Sequence, residues 1–204
     1  MKNLINFKSI LVYSMCIAGT FFLASSCSEN KTVDSMEVAE DENMSKSAID
    51  DQAIVGVDND NDAKFLMEAA EMQMEAISLG KLAQQKGTSS HVKDLGKMME
   101  SDHSKSMTEL EVLAQSNSIA IPTSATENSQ DAYEKLEDET GNEFGKKYSK
   151  MMVEHHEDAI GLYEKAASDS ENPEIRTWAS QKLPGLRTHL EEAKACKEEC
   201  DKMK

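Results

Sequence analysis

Aromatic residues are scarce, at 5% of 204 residues with a single tryptophan, and there are only three prolines and nine glycines. A β-sandwich or barrel needs frequent turns and strands rich in β-branched and aromatic side chains, so an all-β fold is excluded. Basic residues are outnumbered 22 to 38 by acidic ones, which leaves a formal net charge of −16. Such a chain is repelled by phosphate backbones, so nucleic acid is excluded as a partner. No Gly-x-Ser-x-Gly turn occurs, no glycine-rich phosphate loop follows a strand, and no strand is predicted. Nothing after the N-terminal region is apolar enough to span a bilayer.

The N-terminus reads as an address. Lys2 and Lys8 precede an apolar run from Ile10 to Leu23, and no acid occurs before Glu29. The run is short for a membrane span but suits the core of a secretory signal. Ala24-Ser25-Ser26 then lead into Cys27. Small residues immediately before a cysteine resemble the lipobox of bacterial lipoproteins, although Ala24 stands where the usual leucine would. That resemblance implies cleavage after residue 26, lipidation of Cys27 and a membrane partner through the lipid anchor. The expected location is the envelope of a Gram-negative bacterium, as an outer-membrane lipoprotein.

Residues 28–60 hold ten acids against Lys31 and Lys46 and no aromatic residue. Such a stretch buries too little apolar surface to offset its ordering entropy, so 27–60 is read as the lipidated cysteine and a disordered acidic tether. The run Asp58-Asn59-Asp60-Asn61-Asp62 is no calcium loop, since it lacks the glycine at its sixth position and the glutamate at its twelfth.

From Asp62, a plausible N-cap, the pattern becomes helical, and Ala, Glu, Lys, Leu, Met and Gln are all good helix formers. Phe65, Ala69, Met72, Ala76, Leu79 and Leu82 recur at spacings of three and four up to a stop at Gly87. Ser89 or Ser90 caps a second helix, whose face is Val92, Leu95, Met99, His103, Ser106, Leu110 and Leu113. A loop with Pro122 follows, and Tyr133 and Leu136 mark a short helix that ends near Gly141. The third long helix carries Phe144, Tyr148, Met151, Met152, Ala159, Leu162 and Ala166; the fourth carries Ile175, Trp178, Leu183, Leu186, Leu190 and Ala193, with a kink expected at Pro184. The fold expected over 61–204 is therefore all-α: an up-down-up-down four-helix bundle with an extra short helix before helix three.

Each apolar face carries an ionisable residue. Glu75 lies on or beside the face of helix one. His103 lies on that of helix two, with Asp102 to its side. His155 and His156 interrupt helix three, with His155 nearer the centre of its stripe, and His189 lies on helix four. Buried ionisable groups are costly unless paired or bound to a cation, and bundles build metal sites from inward side chains on facing helices. Imidazole with carboxylate suits Zn, Fe or Cu; a hydrogen-bonded network is the metal-free alternative. The pattern argues against a di-iron centre, because Glu100-x-x-His103 satisfies Glu-x-x-His once and no second copy exists. Cys196 and Cys200 stand one helical turn apart, and a disulfide, two free thiols or a soft-metal pair with His189 all remain open. Of the thirteen methionines, Met67, Met72, Met74, Met98, Met99, Met107, Met151 and Met152 lie in the bundle and read as core filler, with Cu(I) ligation beside His and Cys as the alternative.

Four segments together resemble a known family. They are Phe65-Leu66-Met67-Glu68-Ala69-Ala70 with Glu75 and Leu79-Gly80-Lys81-Leu82-Ala83; Met98-Met99, Asp102-His103 and Glu109-Leu110; Phe144, Tyr148, Val153, His156 and Ala159; and Leu183-Pro184-x-Leu186-x-x-His189-Leu190. In order and spacing over about 65–200, they resemble an exported bacterial family of domain-of-unknown-function proteins, labelled outer-membrane proteins. The resemblance implies a ferritin-like four-helix bundle and export, and supplies no activity. Its matching positions are Glu75, Asp102, His103, His156 and His189, so for helix three it favours His156 over His155, and the Cys196/Cys200 tail is an addition to it. The resulting expectation is an envelope lipoprotein whose bundle binds a transition metal, with no catalytic residue assigned and its protein partners unknown. A metal-dependent redox enzyme and a metal-free structural or stress-related adaptor are the alternatives.

Overall fold

The computed structural model describes residues 33–50 and 59–203. Cys27 and the signal segment lie outside the described residues. Within them the chain is all-α, with six helices and no strand: α1 (Ser35–Asp50), α2 (Asn59–Lys86), α3 (Ser90–Ser116), α4 (Glu127–Glu137), α5 (Gly141–Asp169) and α6 (Pro173–Lys202). No described helix is long and apolar enough to cross a membrane.

Local chemistry sets the helix ends. Ser89 caps α3 by accepting from the Val92 amide at 3.2 Å. Thr126 does the same for α4 from Ser129. Asn172 accepts from Glu174 and Ile175 at the start of α6, where Pro173 loses no helical hydrogen bond. Gly141 opens α5 with φ +60. Asp62 is no N-cap: α2 begins at Asn59 and Asp62 is buried inside it. Pro184 sits within α6, which continues as one helix to Lys202.

The long helices pack α2 on α3 and α5 on α6, with α2 also against α5 and α3 against α6. α2 and α3 approach closely at two glycines. A Cβ on Gly80 would come within 2.7 Å of the Gly96 carbonyl oxygen, and a Cβ on Gly96 equally close to the Gly80 oxygen. This contact fixes the relative rotation of α2 and α3, and hence which residues of α2 face His103.

α1 differs from the expectation of a disordered acidic tether. Ser35–Asp50 is helical and docks through polar clamps rather than an apolar stripe. The Asn43 amide donates to the Ala120 carbonyl at 2.9 Å and accepts from the Ala120 amide at 2.7 Å. The Ser35 hydroxyl accepts from the Thr123 and Ser124 amides, and Ala39 is buried beneath. These bonds satisfy backbone groups of the α3–α4 loop and tie α1 to it.

The interior holds two apolar clusters. One gathers Phe65, Leu66, Leu110, Tyr163 and Trp178, with Phe65 and Tyr163 meeting edge to face at 5.2 Å. The other gathers Leu79, Met99, Phe144, Tyr148, Met152, Cys196 and Cys200. Along α2, α3, α5 and α6 the positions between the clusters are Gln73, His103, His156 and His189, all buried.

Candidate metal centre

The polar layer is an imidazole cluster. Ring centroids lie 5.4 Å apart for His103 and His156, 5.1 Å for His103 and His189, and 5.3 Å for His156 and His189. Each of the three offers a ring nitrogen, and these nitrogens all lie within 4.8 Å of one another. Among the described residues, no other cluster of histidine, cysteine and carboxylate side chains converges in this way.

Hydrogen bonds fix which nitrogens face inward. His156 donates from Nδ1 to its own helix, at the Met152 carbonyl oxygen, 2.7 Å away. That bond commits the proton to Nδ1 and leaves a lone pair on Nε2. His103 donates from Nδ1 to Gln73 Oε1 at 2.7 Å, and the Gln73 amide nitrogen donates to the Tyr163 hydroxyl at 2.8 Å. His103 Nε2 then points at His156 Nε2 across 3.3 Å. His189 donates from Nε2 to Asp102 Oδ2 at 3.4 Å, and its buried Nδ1 has no hydrogen-bond partner.

Two lone pairs facing each other at 3.3 Å repel unless a cation or a proton lies between them. Ligands about 2.0–2.1 Å from one tetrahedral ion lie about 3.3–3.4 Å from each other, so this pair already stands at the right edge length. The unpartnered His189 Nδ1 supplies a third donor. Turning the Gln73 amide over gives the metal-free alternative, in which His103 accepts at Nδ1 and donates from Nε2 to His156. Gln73 therefore sets whether His103 presents a lone pair or a proton, as outer-shell partners of ligating histidines do.

Burial keeps these rings neutral. It pushes His103 well below the ordinary imidazole value, reinforced by the neighbouring His156, His155 and His189. Burial, reinforced by the neighbouring His155 and His189, takes His156 down to about 3. His189 is lowered by burial, against the opposing pull of Asp102. Burial would raise the Asp102 carboxyl, but hydrogen bonds from Lys105 and His189 together hold it below its usual value.

The structure divides the residues singled out from sequence. His103, His156 and His189 converge. Asp102, half-exposed, orients His189 from outside. Glu75 meets His155 instead, accepting at 3.2 Å from its Nδ1, and His155 Nε2 is buried without a partner. Both histidines of α5 are buried, but only His156 joins the triad. Of the expected stripe Phe144, Tyr148, Met152, Ala159 and Ala166 are buried, whereas Met151 and Leu162 are only half-buried and Tyr163 is buried beside them, which centres the face on His156. Glu100 accepts from the Gln84 side chain at 2.6 Å and faces away from the histidines. Cys196 and Cys200 are buried free thiols on intact α6. Gln73 is the residue sequence reading missed. Its signal was a polar side chain three residues from both Ala70 and Ala76, on the buried face of α2.

A family model described as "Domain of unknown function (DUF4142)" matches residues 48–196. No curated protein matches the chain. Among solved structures, the chain is similar to the crystal structure of a DUF305 fragment from Deinococcus radiodurans, with TM-score 0.60 and 14% identity over 68% of this chain and 96% of that one. It is also similar to CopM in the Cu(I)-bound form, with TM-score 0.55 and 19% identity over 66% of this chain and 93% of that one. At these identities the likenesses establish a shared helical fold.

Proposed function

We propose that this chain, which belongs to the DUF4142 family of unknown function, holds one transition-metal ion between His103, His156 and His189, copper before zinc or iron. The observation that carries the reading is the 3.3 Å approach of two imidazole nitrogens, both left with lone pairs by the hydrogen bonds on the opposite side of each ring. Three neutral imidazoles in a buried layer suit Cu(I) or Zn(II), and the copper carried by a protein of similar fold makes copper the first to try.

Exposures of 0–8% for the three rings favour retention of an ion over turnover, which needs a path for substrate. This supports a binding protein ahead of the metal-dependent redox enzyme, and the metal-free adaptor remains the reading to defeat. An up-down-up-down ferritin-like bundle is the arrangement that best accommodates the observed helix pairing. The lipobox-like residues before Cys27 support anchoring to the outer membrane, with the bundle holding its metal in the envelope.

The test is metal analysis of protein purified without affinity histidines, beside a His103→Ala/His189→Ala variant. One equivalent of ion in the wild type that is missing from the variant is expected. A wild type that holds no more ion than the variant after incubation with Cu(I), Zn, Fe and Mn overturns the reading in favour of the hydrogen-bonded network.

A further inference from the structure

The second apolar cluster contains chemistry that the histidine layer does not use. Cys196 and Cys200 project from consecutive turns of α6, are 4% and 1% exposed, and burial with the neighbouring Cys200 raises the Cys196 thiol. α6 is intact past both, which places the two free thiols about 6 Å apart along its axis on one face of the helix. Space for the inner thiol comes from α5, where a Cβ on Gly145 would stand 3.2 Å from the Cys200 sulfur. The Tyr148 hydroxyl, fully buried and within electrostatic reach of Cys196, has no hydrogen-bond partner. A phenol with no acceptor beside a neutral thiol is unsatisfied; beside a thiolate it has one. A surface cleft reaches Cys196 between α3 and α6, and its walls include His91, Met98, Asp94 and Glu199.

We propose that Cys196 and Cys200 form a second, separate site for a soft monovalent cation, Cu(I), held as a bis-thiolate and reached through the cleft beside Met98. Binding takes one Cu(I) and two thiols to one anionic Cu(I) bis-thiolate and releases two protons to solvent, with no change of oxidation state. The Tyr148 hydroxyl donates to the charged sulfur. Zinc is a poor fit, because it wants four ligands and no further histidine, cysteine or carboxylate among the described residues joins the pair. Thiolate softness and an acceptance of two ligands select Cu(I). The acidic cleft draws cations, and the Met98 thioether offers a soft contact on the way in. Seven residues, about 10 Å along α6, separate Cys196 from His189, so the two sites load independently.

The full chain, reduced and kept free of oxygen, would be titrated with Cu(I) against a chromogenic Cu(I) chelator. Three forms would be compared: wild type, Cys196→Ser/Cys200→Ser and His103→Ala. The expected result is a near-ultraviolet thiolate-to-copper band and copper–sulfur scattering in wild type and in His103→Ala. Both signals should vanish in the cysteine variant, with the loss of one equivalent of copper. Should the serine variant fold poorly by circular dichroism, Tyr148→Phe reads the same site, with Cu(I) affinity falling about tenfold and the sulfur scattering retained. A cysteine variant that binds as much Cu(I) as wild type, or a wild type without sulfur scattering, overturns the proposal. Loss of copper in His103→Ala reports only on the histidine site, so either site can fail while the other stands.

Discussion

His103 Nε2 lies 3.3 Å from His156 Nε2, and the far side of each ring is already engaged, His103 by Gln73 and His156 by the Met152 carbonyl. An ion between them replaces a repulsion with two bonds, so occupancy should be visible as stability. At a free metal concentration one hundred times the dissociation constant, binding adds about 2.7 kcal/mol. For a domain of this size that raises the melting temperature by about 5–10 °C. Calorimetry of chelator-stripped protein, before and after Cu(I) is restored, measures it, and coincident melting curves would count against the site.

Gln73 should matter as much as a ligand does. Gln73→Leu keeps the volume but removes the acceptor that commits the His103 proton to Nδ1. Metal affinity is expected to fall about 10–100-fold while the helical signal is unchanged. Gln73→Glu, which can only accept from that ring, should retain affinity. Competition titration against a colored chelator separates the two variants, and equal affinities for both would show that Gln73 does not set the tautomer.

Acid should destabilise the metal-free protein through these same rings. Burial lowers the folded-state values of His103, His156 and His189 below that of an unfolded imidazole, near 6.5. Between about pH 6.5 and the folded value, about 3 for His156, the unfolded chain binds more protons. Stability is therefore fully present above about pH 6.5 and is lost as pH falls, by about 1.4 kcal/mol per pH unit for each histidine fully engaged. Urea unfolding from pH 7.5 to 4.5 should show this slope, and His156→Gln should flatten it.

The α2–α3 crossing leaves no room for a side chain. With a Cβ on Gly96 placed 2.7 Å from the Gly80 carbonyl oxygen, Gly96→Ala must push two backbones apart. A loss of about 1–3 kcal/mol is expected from overpacking. Metal affinity should weaken as well, since Gln73 and His103 sit on the two displaced helices. If the variant melts at the wild-type temperature, the helices were never this close.

α1 should be released by a single change. Asn43→Ala removes both bonds to Ala120 and leaves that loop backbone without its partner, at a cost of about 1–2 kcal/mol. Hydrogen exchange across 35–50 should accelerate in the variant while α3 and α6 stay protected. Exchange that is already fast in the wild type would return this segment to the tether read from its composition.

Much of the architecture was legible along the chain. The three-four spacing of apolar residues is a local property of the helix, and so is the serine cap of α3. The boundaries near Gly87, Ser89, Gly141 and Pro173 could therefore be placed without knowing what packs on what. A histidine on the buried face of three helices was legible for the same reason. Composition misled on α1, because its ordering comes from hydrogen bonds to a loop some 77 residues away in sequence, between Asn43 and Ala120.

The choice between His155 and His156 could not be made locally. Adjacent residues differ by about 100° around a helix, and a one-residue error in the stripe exchanges them. Only the packing of Met152 and Tyr163 settles the rotation of α5, sending His156 to the triad and His155 to Glu75. Gln73 could be placed on the buried face of α2, but its role could not be read, because that comes from the crossing at Gly80 and Gly96 that brings α2 beside His103. The sequence by itself determined the four long helices, the serine cap of α3 and the inward histidines, because these follow from near neighbours along the chain. Which of those groups meet, and with which nitrogen, was decided by the rotation of each helix against the others, which only tertiary packing sets.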